Sequence, residues 1–137
     1  MFNLKARLTT IEDYPELVEW WKFHRWSVPP STDLLDDLRH GIIISLDGEN
    51  ICAGFVYFTN ARAFGLLEFI VSTNKVRDKD IRAEALHTLI EVLKQAAKNK
   101  GVKMLFSSLN NPKLVQHYLD CGFVIGSENT KEMTCKL

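Results

Sequence analysis

Apolar and polar positions along the chain fall into runs of two kinds, some alternating and some recurring every three or four residues. In residues 3–8, NLKARL, Leu4, Ala6 and Leu8 share one face, which predicts a first strand. In the following segment Tyr14, Leu17, Val18 and Trp21 stand at i, i+3, i+4 and i+7. That is a helical stripe, with Asp13 as a candidate cap and Pro15 tolerated in the first turn. RWSVPP ends that helix. Ser31 or Thr32 then caps a short predicted helix carrying Leu34, Leu35 and Leu38. GIIISLDGENICAGFVYF reads as two strand runs around DGEN, a hairpin signal. Residues 66–71 belong to another strand, FGLLEFIV, and a helix of about five turns begins near Ile81, with Ala85, Leu86, Leu89, Val92, Leu93 and Ala96 as its apolar positions. KNKG closes it with basic residues and Gly101 at C′. VKMLFSS predicts one more strand, and NPKLVQHYLD a short helix with Asn111 as N-cap and Pro112 at its first position. FVIGSENTKEMTCKL has the look of a final hairpin.

The resulting order is β-α-α-β-β-β-α-β-α-β-β. Its central strand–helix–strand unit requires at least one parallel pair, crossed right-handedly. The other strands can pair as hairpins, so the expected fold is α/β, a mixed sheet of about seven strands with helices on both faces.

Composition narrows the function classes. A length of 137 residues suits a single domain, 1–137, with room for a real core. Apolar residues are 46% and charged residues 25%, as in ordinary soluble proteins. Seventeen basic and seventeen acidic residues cancel, which leaves no global attraction to nucleic acid or to an anionic membrane. No apolar run approaches the length of a membrane span, and the N-terminus lacks the continuous apolar core of a signal peptide. Three cysteines without CxxC spacing argue against a disulfide scaffold or zinc site and for a reducing, cytoplasmic setting.

The element order and NNPKLVQHYLDCGF together resemble the GNAT acetyltransferase superfamily. Its last signature is an asparagine, six residues, a tyrosine, and a glycine–phenylalanine pair four and five positions later. Here these are Asn111, Tyr118, Gly122 and Phe123. STNKVRDKDIRAEAL also resembles small GNAT-like proteins common in bacteriophage genomes. The resemblance implies a GNAT-like acyl-CoA N-acyltransferase fold, acetyl-CoA as co-substrate held in a splay between two parallel strands, an unnamed amine acceptor, and no metal. It places the pantetheine arm on backbone groups of Ile70, Val71 and Ser72. It places the family's pyrophosphate pattern, Q/R-x-x-G-x-G/A, on residues 77–82. Arg77 fits that pattern. Both small positions are instead charged, Asp80 and Arg82.

Each candidate group has a structural alternative. Nine residues, five of them charged and none glycine, lie between Val71 and Ile81. Either this is a solvated turn in which Asp78 or Asp80 caps the helix, or Lys75, Arg77, Lys79 and Arg82 replace the usual glycine nest with forked and point cations. Tyr118 is either amphipathic core or the acid that protonates the departing CoA sulfur. Asn111 is a cap first and a pantetheine neighbour second. Glu68 is either a solvent-facing strand residue or the general base for the amine, and His24 stands where an acceptor pocket commonly lies. His87 and His117 read as surface or packing residues. Trp20, Trp21, Phe23 and Trp26 divide between helix core and a partner surface, a homodimer included. The rival to catalysis is a GNAT-fold binding protein, such as a phage accessory or virion component.

Overall fold

The structure is a computed structural model that describes residues 2–29 and 31–137. Five strands form one sheet in the order β1 (Leu4–Leu8), β2 (Gly41–Leu46), β3 (Glu49–Phe58), β4 (Phe64–Ser72) and β5 (Met104–Phe106). The first four pair antiparallel with one another. β5 lies parallel to β4, with Phe64, Gly65 and Leu66 opposite Met104, Leu105 and Phe106. Between β2 and β3 the chain reverses through Asp47 and Gly48, both at positive φ (51° and 81°), the backbone a two-residue Asp-Gly hairpin demands.

Helix α1 (Tyr14–Phe23) covers one sheet face. Helices α2 (Lys79–Asn99) and α3 (Pro112–Asp120) cover the other. Because side chains alternate along a strand, Ile43, Ala53, Phe55 and Val71 pack with Leu17, Trp20 and Trp21 of α1. Ile42, Ile44, Cys52, Val56, Leu67 and Ile70 pack instead with Ala85, Leu89, Ile90 and Leu93 of α2. A fully buried Leu, Ile or Phe contributes about 1.5–3 kcal/mol, so these two faces hold the sheet in place. α2 rests directly on the sheet at Gly54, where a Cβ would lie 2.8 Å from Ile70 and 3.0 Å from Leu93. No helix among the described residues is long and apolar enough to cross a membrane.

Three expectations need correction. The sheet has five strands among the described residues, not about seven, because no hairpin forms after α3. Its only large apolar side chains after Phe123 are Val124, Ile125, Met133 and Leu137, all exposed. Burying those four would return roughly 1.5–3 kcal/mol each. Ordering the fourteen residues from 124 to 137 costs roughly 1–2 kcal/mol for each one. Second, Thr32–Leu38 forms 3₁₀ turns joined across a kink, with Asp36 and Asp37 at positive φ, and only Leu35 and Leu38 reach the core. Third, Asp13 does not cap α1. Its carboxylate accepts from the Thr10 amide at 2.8 Å and from Arg7, closing the 3₁₀ turn that precedes the helix.

Candidate functional site

β4 is interrupted where the site lies. Between the pairs Ala53–Val71 and Phe55–Glu68, β3 advances two residues and β4 three, so β4 carries a bulge. Phe69 occupies it at φ +58°, a conformation that costs a non-glycine residue roughly 1–3 kcal/mol. Its ring sits edge-to-face with Trp21 and Tyr57, with centroids 5.9 and 6.3 Å away, and this aromatic packing holds the strained backbone. The bulge leaves Phe69 and Ile70 unpaired before Val71 and Ser72 rejoin β3, and it lies just beyond Leu66, where pairing with β5 ends.

Past Leu66 and Phe106 the parallel backbone ladder ends, and side chains take over the bridging. The Ser107 hydroxyl donates to the Leu67 carbonyl at 2.6 Å, and the Ser108 amide donates to Glu68 Oε1 at 2.8 Å. Glu68 therefore sits at the root of the splay, half-buried, and burial raises its pKa despite the amide it accepts.

Tyr118 reaches the same point from α3. Its hydroxyl lies 2.9 Å from Ser107 Oγ. Since the Ser107 proton is committed to Leu67, Ser107 accepts and Tyr118 donates. The tyrosine is 4% exposed, and burial pushes its pKa well above that of a free phenol, so it stays protonated at neutral pH. Tyr57 on β3 is raised likewise, to about 12, by burial and the nearby Glu68 carboxylate, and its hydroxyl donates to the Leu34 carbonyl.

Helix geometry accounts for the rest of the C-terminal signature. Asn111 Oδ1 accepts from the Leu114 amide at 3.0 Å, so Asn111 is the N-cap, with Pro112 in the first turn. Gly122 takes φ +90° at C′. Its amide bonds the Leu119 carbonyl, and the Phe123 amide bonds the Tyr118 carbonyl. This pair of bonds is the Schellman arrangement, completed by the Phe123 ring 4.7 Å from that of Tyr118. Asn111, Gly122 and Phe123 thus frame the helix, and only the Tyr118 hydroxyl is left over for chemistry.

The N-terminus of α2 is built differently. Asp78 is its cap, and Asp78 Oδ1 accepts from the amides of Asp80 (2.9 Å) and Ile81 (3.1 Å). Two donors that a phosphate would use are therefore already occupied by a carboxylate. Asp80, the other candidate cap, stands exposed. Upstream, Thr73 is buried, its amide donates to Ile51, and its hydroxyl accepts from the Lys75 amide. Val76 packs on the core, so the loop is anchored at both ends. Lys75, Arg77 and Lys79 are exposed and Arg82 is partly buried. No carboxylate among the described residues forms an ion pair with any of these four.

The structure thus ties Tyr118 and Glu68 to adjacent residues, Ser107 and Ser108. Ser107 went unrecognised in the sequence, where its one signal is its place directly after the strand that pairs with β4. Ile70 and Val71 bury their side chains on opposite sheet faces, so neither side chain is open to a ligand. The Ser72 carbonyl is taken by His24 Nε2 at 2.9 Å, and this bond ties the end of α1 to the end of β4. His24 also stacks on Trp26, while Phe23 stays exposed. Arg77, Lys79, Asp80 and Arg82 lie at the start of α2, and Asn111 lies at the start of α3. Burial pushes the Cys121 thiol up to about 11, the opposite of what activates a nucleophile.

No family model matches the sequence, and no curated protein does. The fold is shared with solved acetyltransferases. N-acetylglutamate synthase from Neisseria gonorrhoeae, crystallised with coenzyme A and L-arginine, superposes with a TM-score of 0.74 at 15% identity over 97% of this chain. This chain spans only 30% of that synthase. Glucosamine-6-phosphate N-acetyltransferase from Arabidopsis thaliana matches with a TM-score of 0.66 at 16% identity, over 96% of this chain and 98% of its own. An acetyltransferase from Trypanosoma brucei matches with a TM-score of 0.65 at 15% identity, over 96% and 100%.

Proposed function

The chain has the fold of the GNAT acetyltransferases, and from that premise we propose that it transfers an acetyl group from acetyl-CoA to an amine. The observation that carries the proposal is the splay itself. The β4–β5 ladder ends just before the β4 bulge, beside the adjacent residues Ser107 and Ser108 that hold the Tyr118 hydroxyl and Glu68.

In this reading the pantetheine arm pairs with the β4 backbone around Ile70, Val71 and Ser72. The amine nitrogen attacks the thioester carbonyl directly in a ternary complex, and a backbone N–H near Val71 stabilises the oxyanion. As the tetrahedral intermediate collapses, the C–S bond breaks and sulfur leaves. The Tyr118 O–H leaves Ser107 Oγ and donates to that sulfur. A buried phenol is a weaker acid than a thiol of pKa ~8.5, so Tyr118 keeps its proton and stabilises the departing thiolate by hydrogen bonding. Glu68 accepts the amine proton, directly or through water. Its raised pKa makes it a better base than a free carboxylate. Arg77, Lys79 and Arg82 face the pyrophosphate.

One observation favours a different reading, a GNAT-fold binding protein without catalysis: the Asp78 carboxylate sits on the helix amides where phosphate belongs. Thermal unfolding with and without acetyl-CoA separates the two. Binding to the native state alone adds RT ln(1 + [L]/Kd), about 2.7 kcal/mol at a hundredfold excess over Kd. A clear upward shift is expected. No shift at millimolar acetyl-CoA would overturn the acetyltransferase reading.

A further inference from the structure

On the face of α2 and α3 away from the sheet, three side chains converge that play no part in the splay. His87 Nε2 lies 3.0 Å from His117 Nδ1 and 3.3 Å from Asp120 Oδ2, and the three atoms all lie within 4.8 Å of one another. We propose that His87, His117 and Asp120 form a binding site for one divalent first-row transition ion, of which Zn²⁺ is the probe of choice. Such an ion, with bonds of ~2.0–2.2 Å to imidazole and carboxylate, holds tetrahedral ligand atoms roughly 3.3–3.6 Å apart, close to the 3.0 and 3.3 Å separations from His87 Nε2 to its two partners. Two imidazoles and one carboxylate suit Zn²⁺, Ni²⁺ or Cu²⁺. Mg²⁺ and Ca²⁺ prefer oxygen alone.

The site is oriented as well as assembled. Gln116 Nε2 donates to Asp120 Oδ1 at 2.9 Å, which leaves Oδ2 turned toward His87. The imidazole rings meet at 71° with centroids 4.9 Å apart. The neighbouring cation, Lys94, is held by Glu91 (3.1 Å) and by the Cys121 carbonyl (2.6 Å). A shallow groove beside the site is lined by His87, Thr88, Glu91, Val92 and Gln95, which gives an ion a solvent path and puts a further carboxylate within a turn of His87. His117 and Asp120 are three residues apart on one face of α3, and His87 comes from the middle of α2. A bound ion therefore ties the Tyr118 helix to α2. The three cysteines, which lack metal-ligand spacing, argue against a zinc site in the sequence, and the His87–His117 pair spans 30 residues.

The test uses untagged protein freed of metal by chelation, titrated with ZnCl₂ by calorimetry and with CoCl₂ by visible absorption. One ion per chain at micromolar or tighter Kd is expected, with Co²⁺ bands that indicate nitrogen ligation and a thermal midpoint that rises with Zn²⁺. His87→Ala and Asp120→Asn alter side chains that are 38% and 45% exposed, so both should fold, as circular dichroism will verify. Each should weaken binding about tenfold or more. His40→Ala, which removes a histidine paired with Asp36 elsewhere, should change nothing. Absence of Zn²⁺ binding to the parent protein, or equal binding by His87→Ala and Asp120→Asn, would overturn the site.

Discussion

Helices α2 and α3 end alike and begin differently. Gly101 and Gly122 both take φ near +90° at C′, and in each helix the next residue returns an amide to the third-last carbonyl, Val102 to Ala97 and Phe123 to Tyr118. At their starts α3 is capped by a neutral amide, Asn111, and α2 by a carboxylate, Asp78. The two ends of the proposed acetyl-CoA site differ in the same way. At the sulfur end, Glu68, Ser107 and Tyr118 are fixed by bonds to the backbone and to one another. At the phosphate end, two backbone donors are taken and four cations on flexible stems remain. Side-chain bonds within the fold preorganise the first end. The second must order long side chains whenever a ligand arrives, at roughly 0.5–1.5 kcal/mol for each one immobilised. In this molecule the chemistry should depend on single atoms, and the affinity on summed charge.

The sharpest way to break that contrast is at Glu68. Glu68→Gln keeps an acceptor for the Ser108 amide but cannot take a proton. Turnover should fall about a hundredfold or more, the usual worth of a positioned base. The pH profile carries the diagnosis. The folded pKa of Glu68 is raised, so its protonated form is favoured at low pH and the base appears only as pH climbs past the ordinary carboxylate range. The parent enzyme should show a rising limb there, and the variant should lose it. The same raised pKa means that ionised Glu68 works against the fold at neutral pH, so the variant should unfold no earlier than the parent. A variant that loses activity together with several degrees of thermal midpoint would instead mark Glu68 as a structural wedge between β4 and β5.

Tyr118→Phe is next in size. The ring stays packed on Phe123, the caps at both ends of α3 stay intact, and only the bond to Ser107 Oγ is lost. Turnover should drop at least about tenfold, or ~1.4 kcal/mol of barrier, with acetyl-CoA affinity unchanged. Affinity falling in step with turnover would mean that the hydroxyl shapes the cleft instead of serving the departing sulfur.

How much of this was legible in the sequence follows the same division. Elements set by local rules were readable: the Asp47–Gly48 hairpin, the α1 stripe, the long helix and its glycine stop, and the Asn111–Pro112 start. So was the parallel pair, which the strand–helix–strand order requires. The bulge was not, because a phenylalanine at positive φ contradicts its local preference and is held there by Trp21 and Tyr57, distant along the chain. Ser107 gave little warning because its partners, Leu67 and Tyr118, lie 40 and 11 residues away. The His87–His117 pair, 30 residues apart, was hidden for the same reason. The final hairpin predicted for FVIGSENTKEMTCKL does not form, because that segment holds too few apolar residues to bury.

The smallest expected effects, and the finest test of the contrast, lie in the loop before α2. Asp80 is exposed and caps nothing, so Asp80→Asn removes a negative charge near the expected pyrophosphate and leaves the helix start untouched. Like charges about 5 Å apart repel by ~3 kcal/mol at an effective dielectric of 20, but full exposure and salt reduce this severalfold. The affinity for acetyl-CoA should therefore tighten by roughly three- to tenfold at low salt and hardly at all at high salt. Asp78→Ala should behave differently. It frees the Asp80 and Ile81 amides for phosphate but removes a cap worth about 1 kcal/mol, so binding should tighten at both salt concentrations while the thermal midpoint falls. Arg77→Ala should weaken binding by a similar factor, mainly at low salt. Calorimetric titrations of the three variants at two salt concentrations distinguish these outcomes. If Asp78→Ala loses stability and gains no affinity, and Arg77→Ala changes nothing, phosphate does not reach the α2 N-terminus. The splay would then hold acetyl-CoA by its pantetheine arm alone.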